Sequence, residues 1–231
     1  MGARSDPVVR PIPKGKLESR PKPVKGRRGS FTVPESEDTM EETPKGIKVE
    51  PSKDTTAHTE IQWLLLKLGS DMGLDVWVAR NDRNREARGH RFVNLPRLKD
   101  SLPLQFDEAT NRTVELIDAL WMRKNAIVAA FEIESTTSIY SGLLRMSDLI
   151  AMQPNLNIPL YLVAPDERRE KIILEVNRPT FSRLMPPMNQ ICRFISFSAL
   201  RERVSQMADI TRYLRPEFLE EVSESCEVEE V

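Results

Sequence analysis

The chain has 231 residues, a formal net charge of −1 and only two cysteines. This length allows one domain of ordinary size with terminal extensions, and two cysteines exclude a disulfide-rich scaffold. No apolar run approaches the ~20 residues that a membrane-spanning helix needs. We therefore expect an intracellular, cytoplasmic protein that does not enter a membrane.

Residues 1–57 form a proline-rich arm whose charge changes along its length. Residues 1–30 carry nine Lys or Arg against two Asp or Glu, whereas residues 31–57 carry three against seven. Eight of the 17 prolines precede residue 52, so this arm has little capacity for helix or sheet. We predict that it is disordered. Its basic half has the composition of a nonspecific nucleic-acid tether, although the same charge would also favour solubility.

The folded region is predicted to begin with an amphipathic helix. Residues 59–62 resemble a capping box, and apolar residues follow at 61, 64, 65, 68 and 72. A strand is predicted over residues 75–79. Residues 80–112 have no clear period and are rich in arginine, which predicts a long loop. That loop either contacts phosphates or forms an ordinary solvated surface; the candidate contacts are Arg80, Arg83, Arg85, Arg88 and Arg91.

Two strand-like runs, at residues 114–121 and 126–134, are joined by a short polar segment at 123–125. Their apolar, β-branched composition and the polar connection predict a hairpin. The register of such a hairpin brings Asp118 to within one residue of Glu132 on the facing strand. The sequence therefore predicts a close pair of carboxylates on neighbouring strands.

A third acid, Glu134, follows Glu132 on the same face of the strand, about 6–7 Å away. An edge strand could present both glutamates to solvent, but the run at 126–133, which is apolar apart from Glu132, favours a strand that is buried on both faces. Together with Asp118 these glutamates make three buried carboxylates. Burying them lowers the stability of the fold by several kcal/mol unless their charge is offset. A divalent cation is the simplest partner for them.

The remaining pattern alternates helices and strands. The predicted elements are a helix at 138–152, a strand at 158–164, a helix at 167–176, a strand at 191–197 and a helix at 198–214. A helical crossover after the acid-bearing strand makes the next strand parallel to it. We therefore predict an α/β (α+β) fold with a mixed central sheet flanked by helices. The folded domain should span residues 58–214, and residues 215–231, with seven Glu and no Lys, form an acidic tail.

This order of elements and acids resembles the PD-(D/E)xK nuclease superfamily, whose restriction-endonuclease-like core is αβββαβ. That family carries an acid on the second strand and an acid-x-lysine motif on the third. Asp118 matches the first acid and Glu132-Ile133-Glu134 the second motif, and the resemblance covers residues 58–180. Glu134 stands where the family usually has lysine, so the chain resembles a Glu-x-Glu variant.

The resemblance implies a metal site and an activity. Asp118, Glu132 and the backbone carbonyl of Ile133 would bind Mg²⁺, for which Mn²⁺ would substitute. Glu60, on the first helix, matches a position where many members place a further acid. The implied catalytic residues are Asp118, Glu132 and Glu134, and Glu134 would act either as a base or as a ligand to a second ion. The implied function is a Mg²⁺-dependent deoxyribonuclease of restriction or repair type.

The sequence leaves more than one function open for the protein and more than one role open for some of its residues. A nuclease-derived subunit would bind nucleic acid without cutting it, and a carboxylate-pair glycosidase is a weaker third option. Arg145 would contact the nucleic acid and neutralise transition-state charge, or form a plain salt bridge. His58 and His90 have no partner pattern and are expected at the surface. DNA is the expected partner, and a homodimer is an open possibility.

Overall fold

The computed structural model describes residues 53–102, 108–135, 139–152, 158–207 and 210–228. Its helices are α1 (Lys53–Asp71), α2 (Glu108–Val114), α3 (Ile139–Met152), α4 (Arg169–Val176), α5 (Pro179–Ser182), α6 (Met188–Ile191), α7 (Phe197–Gln206) and α8 (Leu219–Val222). Its strands are β1 (Asp75–Val78), β2 (Glu86–Ala87), β3 (His90–Arg91), β4 (Ala119–Arg123), β5 (Ala126–Ile133), β6 (Leu160–Ala164), β7 (Cys192–Ser196) and β8 (Glu224–Ser225). Residues 1–52, most of the predicted arm, lie outside the described ranges.

A six-stranded mixed sheet organises the fold. Its strand order is β1-β4-β5-β6-β7-β8, while β2 and β3 form a separate small hairpin. The pairs β1–β4, β4–β5 and β7–β8 are antiparallel, and β5–β6 and β6–β7 are parallel. The predicted mixed sheet and its helical flanks are therefore confirmed. A two-residue turn at Lys124 and Asn125 joins β4 to β5, as the hairpin pattern predicted.

Hydrophobic side chains from alternate strand positions fill a core on each face of the sheet. On one face, Leu120 and Leu162 pack with Leu143 of α3. On the other, Trp121 packs in a cluster that includes α1, and its indole N–H donates to the carbonyl of Leu65 at 3.0 Å. Strand side chains alternate between faces, so an almost continuously apolar strand such as β5 contributes to both cores.

The first helix starts earlier than the sequence pattern predicted. Helix α1 begins at Lys53, so residues 53–57 belong to the fold and the capping-box match at 59–62 lies inside the helix. Residues 53–59 contain no proline or glycine, and the helix therefore extends backwards almost to Pro51. This earlier start gives His58 a place in the second turn of a packed helix.

The region before β4 is more ordered than a long loop. It contains a 3₁₀ turn at Arg80–Asp82, the β2–β3 hairpin and a fully buried Phe92. The strand predicted over 114–121 begins only at Ala119, because Val114 ends helix α2. A short apolar run of this kind is compatible with both the helical period of 3.6 residues and the strand period of two, so its pattern does not distinguish a helix from a strand. The last predicted helix, at 198–214, ends at Gln206.

The predicted acidic tail is part of the domain. Phe218, Leu219 and Cys226 are buried, and β8 pairs with β7 at the far edge of the sheet. The many glutamates of this segment predicted a solvated tail, although apolar residues that become buried lie between them in the sequence. None of the helices in the described part of the chain combines the length and apolar character needed to cross a membrane.

Candidate functional site

Asp118 lies at the point where β4 begins beside the end of β5. The pairing of Ala119 with Phe131 sets Asp118 beside Glu132 one step further along, so the predicted proximity of these two acids is present. One carboxylate oxygen of Asp118, Oδ2, accepts a hydrogen bond from the backbone N–H of Ile133 at 2.7 Å. Burial raises the pKa of Asp118, even though His58 and the N–H of Ile133 favour its charged form.

Glu132 is fully buried and is held by Arg145 of α3. Arg145 donates from Nε to Oε1 at 2.9 Å and from Nη2 to Oε2 at 2.7 Å. Burial and the neighbouring charge of Asp118 raise the pKa of Glu132 to about 8, and Arg145 only partly opposes this rise. Of the two roles predicted for Arg145, the structure contains the salt bridge.

Glu134 directly follows β5, and its backbone N–H donates to the carbonyl of Val163 at 2.9 Å. Burial, followed by the charge of Asp118, raises the pKa of its carboxyl to about 7. Gly142 of α3 faces both glutamates: a Cβ added there would lie 2.5 Å from Glu134 Oε1 and 3.2 Å from Glu132 Oε2. The missing side chain at Gly142 therefore leaves the space that these carboxylates fill.

His58 and Asp82 join this cluster, which the sequence pattern did not indicate. His58 Nε2 lies 3.7 Å from Asp118 Oδ1 and 3.8 Å from Asp82 Oδ2. Only 16% of the His58 side chain is exposed, so the expectation of a surface residue was wrong. Gln62, one turn further along α1, donates from Nε2 to Asp82 Oδ2 at 3.0 Å and to the backbone carbonyl of Asp118 at 2.9 Å.

In this part of the site, His58 and the neighbouring carboxylates stabilise each other's charged forms. Burial disfavours the charged form of His58, but the carboxylates of Asp82 and Asp118 outweigh it and raise the pKa of this histidine. Burial also opposes the charge of Asp82, yet His58, Arg85 and Gln62 together lower its pKa. A helix that begins at Lys53 places His58 and Gln62 on one face, because residues four apart on a helix share a face. No comparable signal in the sequence points to Asp82.

Glu60, the possible further metal ligand, is not among the residues that face His58 in the cluster, and its role as a ligand stays a prediction. Two residues along a helix correspond to a rotation of about 200°, so Glu60 projects from a different side of α1 than His58. Its carboxylate lies 3.4 Å from Arg88 and 3.7 Å from Arg201. Ion pairs with arginines are the contacts that the structure gives to Glu60.

The arginines predicted to contact phosphates lie mostly against acids of this chain. The pairs are Arg80 with Glu115, Arg83 with Asp100, Arg85 with Asp82, Arg88 with Glu60 and Arg145 with Glu132. Arg91 is exposed, as is His90, which stacks on Trp63 with ring centroids 5.3 Å apart. Contact of these arginines with nucleic acid stays a prediction.

Comparison with known sequences identifies the family. Residues 34–226 match the family described as the type II restriction enzyme NmeDI C-terminal domain. The chain belongs to this family. It is 30% identical over 179 residues to the type II restriction enzyme NmeDI of Neisseria meningitidis serogroup C. That match covers 73% of this chain and 49% of the relative, so the chain spans about half the length of NmeDI. No solved structure matches the chain.

Proposed function

We propose that this chain is a divalent-metal-dependent nuclease that hydrolyses DNA phosphodiester bonds, as a Glu-x-Glu member of the PD-(D/E)xK superfamily. The observation that carries the proposal is the position of Asp118, which hydrogen-bonds to Ile133 and lies beside the buried Glu132 where β4 meets β5. Membership of the NmeDI C-terminal family supports a restriction-type activity on DNA.

The donors present fit a hard divalent cation. A carboxylate has about four lone-pair positions, so the hydrogen bonds of Asp118 to Ile133 and of Glu132 to Arg145 leave further positions for a metal. A strand residue directs its N–H and its carbonyl towards the same neighbouring strand, which places the Ile133 carbonyl on the Asp118 side. Such oxygen ligands suit Mg²⁺, with Mn²⁺ as a substitute.

The cost of burying these acids also favours a cation there. Burial and mutual repulsion raise the pKa of Asp118, Glu132 and Glu134, which means that the protein without a cation disfavours their charged forms. When bound, a divalent ion would offset this repulsion, lower the pKa of a water molecule and polarise the phosphate.

The protein's own side chains take separate tasks in this proposal. Arg145, through its two hydrogen bonds, holds the carboxylate of Glu132 in one orientation. Glu134 orients the attacking water and accepts its proton, in the position where the superfamily usually has lysine. The exposed Arg91 and the basic residues of 1–30 bind the DNA backbone. The mass of the protein in solution would decide whether the chain forms a homodimer.

The test is incubation of the purified protein with supercoiled plasmid, linear duplex DNA and RNA, each in Mg²⁺, Mn²⁺ or EDTA. We expect cleavage of DNA with either metal and none in EDTA. Binding of DNA without cleavage under every condition would instead favour the non-catalytic binding subunit. Cleavage in EDTA would refute the dependence on a metal.

A further inference from the structure

We propose that His58, Asp82 and Asp118 form a second cation site, which takes a divalent metal that accepts a nitrogen ligand, such as Mn²⁺, Co²⁺ or Zn²⁺. In this site Oδ1 of Asp118 faces His58 of α1. The inference rests on the proposed function, because the two sites share Asp118. Its distinguishing ligand is the imidazole of His58, which the oxygen-only site lacks.

Three separate elements bring the donor atoms together. His58 comes from α1, Asp82 from the 3₁₀ turn at Arg80–Asp82, and Asp118 from the residue before β4. One ligand atom from each lies within 4.8 Å of the others. The folding of the region before β4 is therefore what completes this group, since Asp82 is far from both partners in sequence.

The distances suit a shared ion better than direct hydrogen bonds. His58 Nε2 is 3.8 Å from Asp82 Oδ2 and 3.7 Å from Asp118 Oδ1, beyond the ordinary hydrogen-bond range of about 2.7–3.2 Å. Two ligands that each lie about 2.1 Å from one ion can be separated by up to about 4.2 Å. Both separations fit within that limit.

Two polar atoms in the same cluster are buried and have no hydrogen-bond partner in the described part of the chain. They are Nε2 of His58 and Oε1 of Gln62. Gln62 is completely buried, and hydrogen bonds from its Nε2 to Asp82 and to Asp118 fix the amide within the cluster. A buried polar atom without a partner is unfavourable, and a cation here would give Nε2 of His58 a partner.

The charged side chains around the proposed site include more acids than arginines. The cluster contains four acids, of which Asp82 pairs with Arg85 and Glu132 with Arg145; the other two are Asp118 and Glu134. Arg85 contacts Oδ1 of Asp82 at 2.9 Å, whereas His58 faces Oδ2. The Asp82 oxygen that faces His58 is thus not the one that Arg85 contacts. A divalent ion would favour the charged forms of the acids around it.

Ligand chemistry separates the two sites experimentally. Mg²⁺ and Ca²⁺ prefer oxygen ligands, whereas imidazole suits transition metals. We expect the full-length protein to bind two equivalents of Co²⁺ but one of Ca²⁺ in calorimetric titrations. The visible absorption of bound Co²⁺ should report the imidazole ligand. His58→Ala and Asp82→Asn should bind one equivalent of Co²⁺ and retain the Ca²⁺ site.

The matched control is His90→Ala, which removes the chain's other histidine from an exposed position and should leave both stoichiometries unchanged. Asp82→Asn keeps the shape of its side chain and provides the decisive variant should His58→Ala fail to fold, which circular dichroism would show. Loss of Ca²⁺ binding and of cleavage in Glu132→Gln, with one Co²⁺ retained, completes the expected pattern.

The inference is overturned if wild-type protein binds a single Co²⁺, or if both His58→Ala and Asp82→Asn bind two. His58 would then be a protonated partner of the two carboxylates. Such a result, together with loss of cleavage in Glu132→Gln, would leave the proposed nuclease intact. Retention of both cleavage and Ca²⁺ binding in Glu132→Gln would instead refute the proposed nuclease site.

Discussion

At the scale of single residues, the raised pKa of Glu132, to about 8, ties the stability of the metal-free protein to pH. The unfolded chain loses this proton near pH 4.5, so between about 4.5 and 8 the folded state binds more protons than the unfolded state. The contribution of this group to the free energy of unfolding therefore has its full value below about pH 4.5. It decreases as the pH rises from about 4.5 to about 8. Glu134, with a pKa raised to about 7, acts in the same direction.

We therefore predict that the melting temperature of the wild-type protein in EDTA falls between about pH 5 and about pH 8, and that Glu132→Gln reduces this fall. At the upper end of the range the variant should be the more stable protein, because it no longer carries a buried charge beside Asp118. Glu170→Gln, at an exposed position, is the control and should behave as wild type. Equal pH dependence in all three proteins would contradict the burial of a charged Glu132.

Gly142→Ala tests the close approach of α3 to the acids. The new Cβ would displace Oε1 of Glu134, which lies 2.5 Å from its position, and a misplacement of about 1 Å can cost about 100-fold in rate. Alanine also gains up to about 1 kcal/mol of helix propensity over glycine, so we expect lower cleavage, by about 10- to 100-fold, without a lower melting temperature. Leu144→Ala, at a half-exposed position on the same helix, is the control. Wild-type cleavage by Gly142→Ala would show that the position of Glu134 does not matter.

The sequence predicted some of these residues and not others for a physical reason. The proximity of Asp118 and Glu132 follows from strand periodicity and a two-residue hairpin turn, which are local properties of adjacent segments. His58 approaches Asp118 only through the packing of α1 on the sheet, and its partner Asp82 comes from a region without any period. Long-range contacts of this kind leave no local pattern, and an error in the start of α1 concealed the face that carries His58 and Gln62.

At the scale of elements, the C-terminal segment shows that a high content of charged residues can lead to a wrong prediction of a solvent-exposed tail. Seven glutamates in the last sixteen residues predicted a solvated tail, yet β8 completes the sheet and Phe218 and Leu219 are buried. Strand β8 has two residues and helix α8 has four, too short for either hydrophobic period to be recognised. The longer elements β5, α3 and β6 were predicted to within a few residues because their patterns extend over several turns or alternations.

Deletion of residues 216–231 should therefore destabilise the domain. Burial of Phe218 and Leu219 stabilises the fold by about 1.5–3 kcal/mol each, and each kcal/mol corresponds to about 2–4 °C in a domain of this size. We expect the melting temperature to fall by at least about 6 °C. Deletion of residues 227–231 removes the exposed Glu227 and Val228 with the three residues after them and keeps the buried Cys226, and it should have little effect. An unchanged melting temperature in the longer deletion would support the original assignment of a tail.

At the scale of the whole molecule, the N-terminal arm is predicted to add affinity for nucleic acid but not to the fold. Removal of residues 1–52 keeps α1 intact, whereas the boundary at 57 would cut into the helix next to His58. Residues 1–30 carry a net charge of +7. Each phosphate that they neutralise adds about 0.9 to the slope of log affinity against log salt concentration for duplex DNA.

We expect the shortened protein to remain folded and to bind duplex DNA more weakly, with a slope that is smaller by roughly 3 if three or four charges are engaged. The comparison uses Glu132→Gln in both proteins, so that cleavage does not interfere. Deletion of residues 227–231 is the control for a change in length without a loss of basic residues. Identical slopes would mean that the arm does not touch DNA and that the affinity resides in the folded domain.

The central proposal is that Asp118 and Glu132 bind a divalent ion and that the protein cuts DNA at this site. The most direct measurement is cleavage of supercoiled plasmid by wild-type protein, Glu132→Gln and the surface control Glu170→Gln, with Mn²⁺ titrated into metal-free samples. We predict that wild type and Glu170→Gln cut with the same Mn²⁺ dependence, and that Glu132→Gln folds but does not cut at any Mn²⁺ concentration. Cleavage by Glu132→Gln with the wild-type Mn²⁺ dependence would contradict the account.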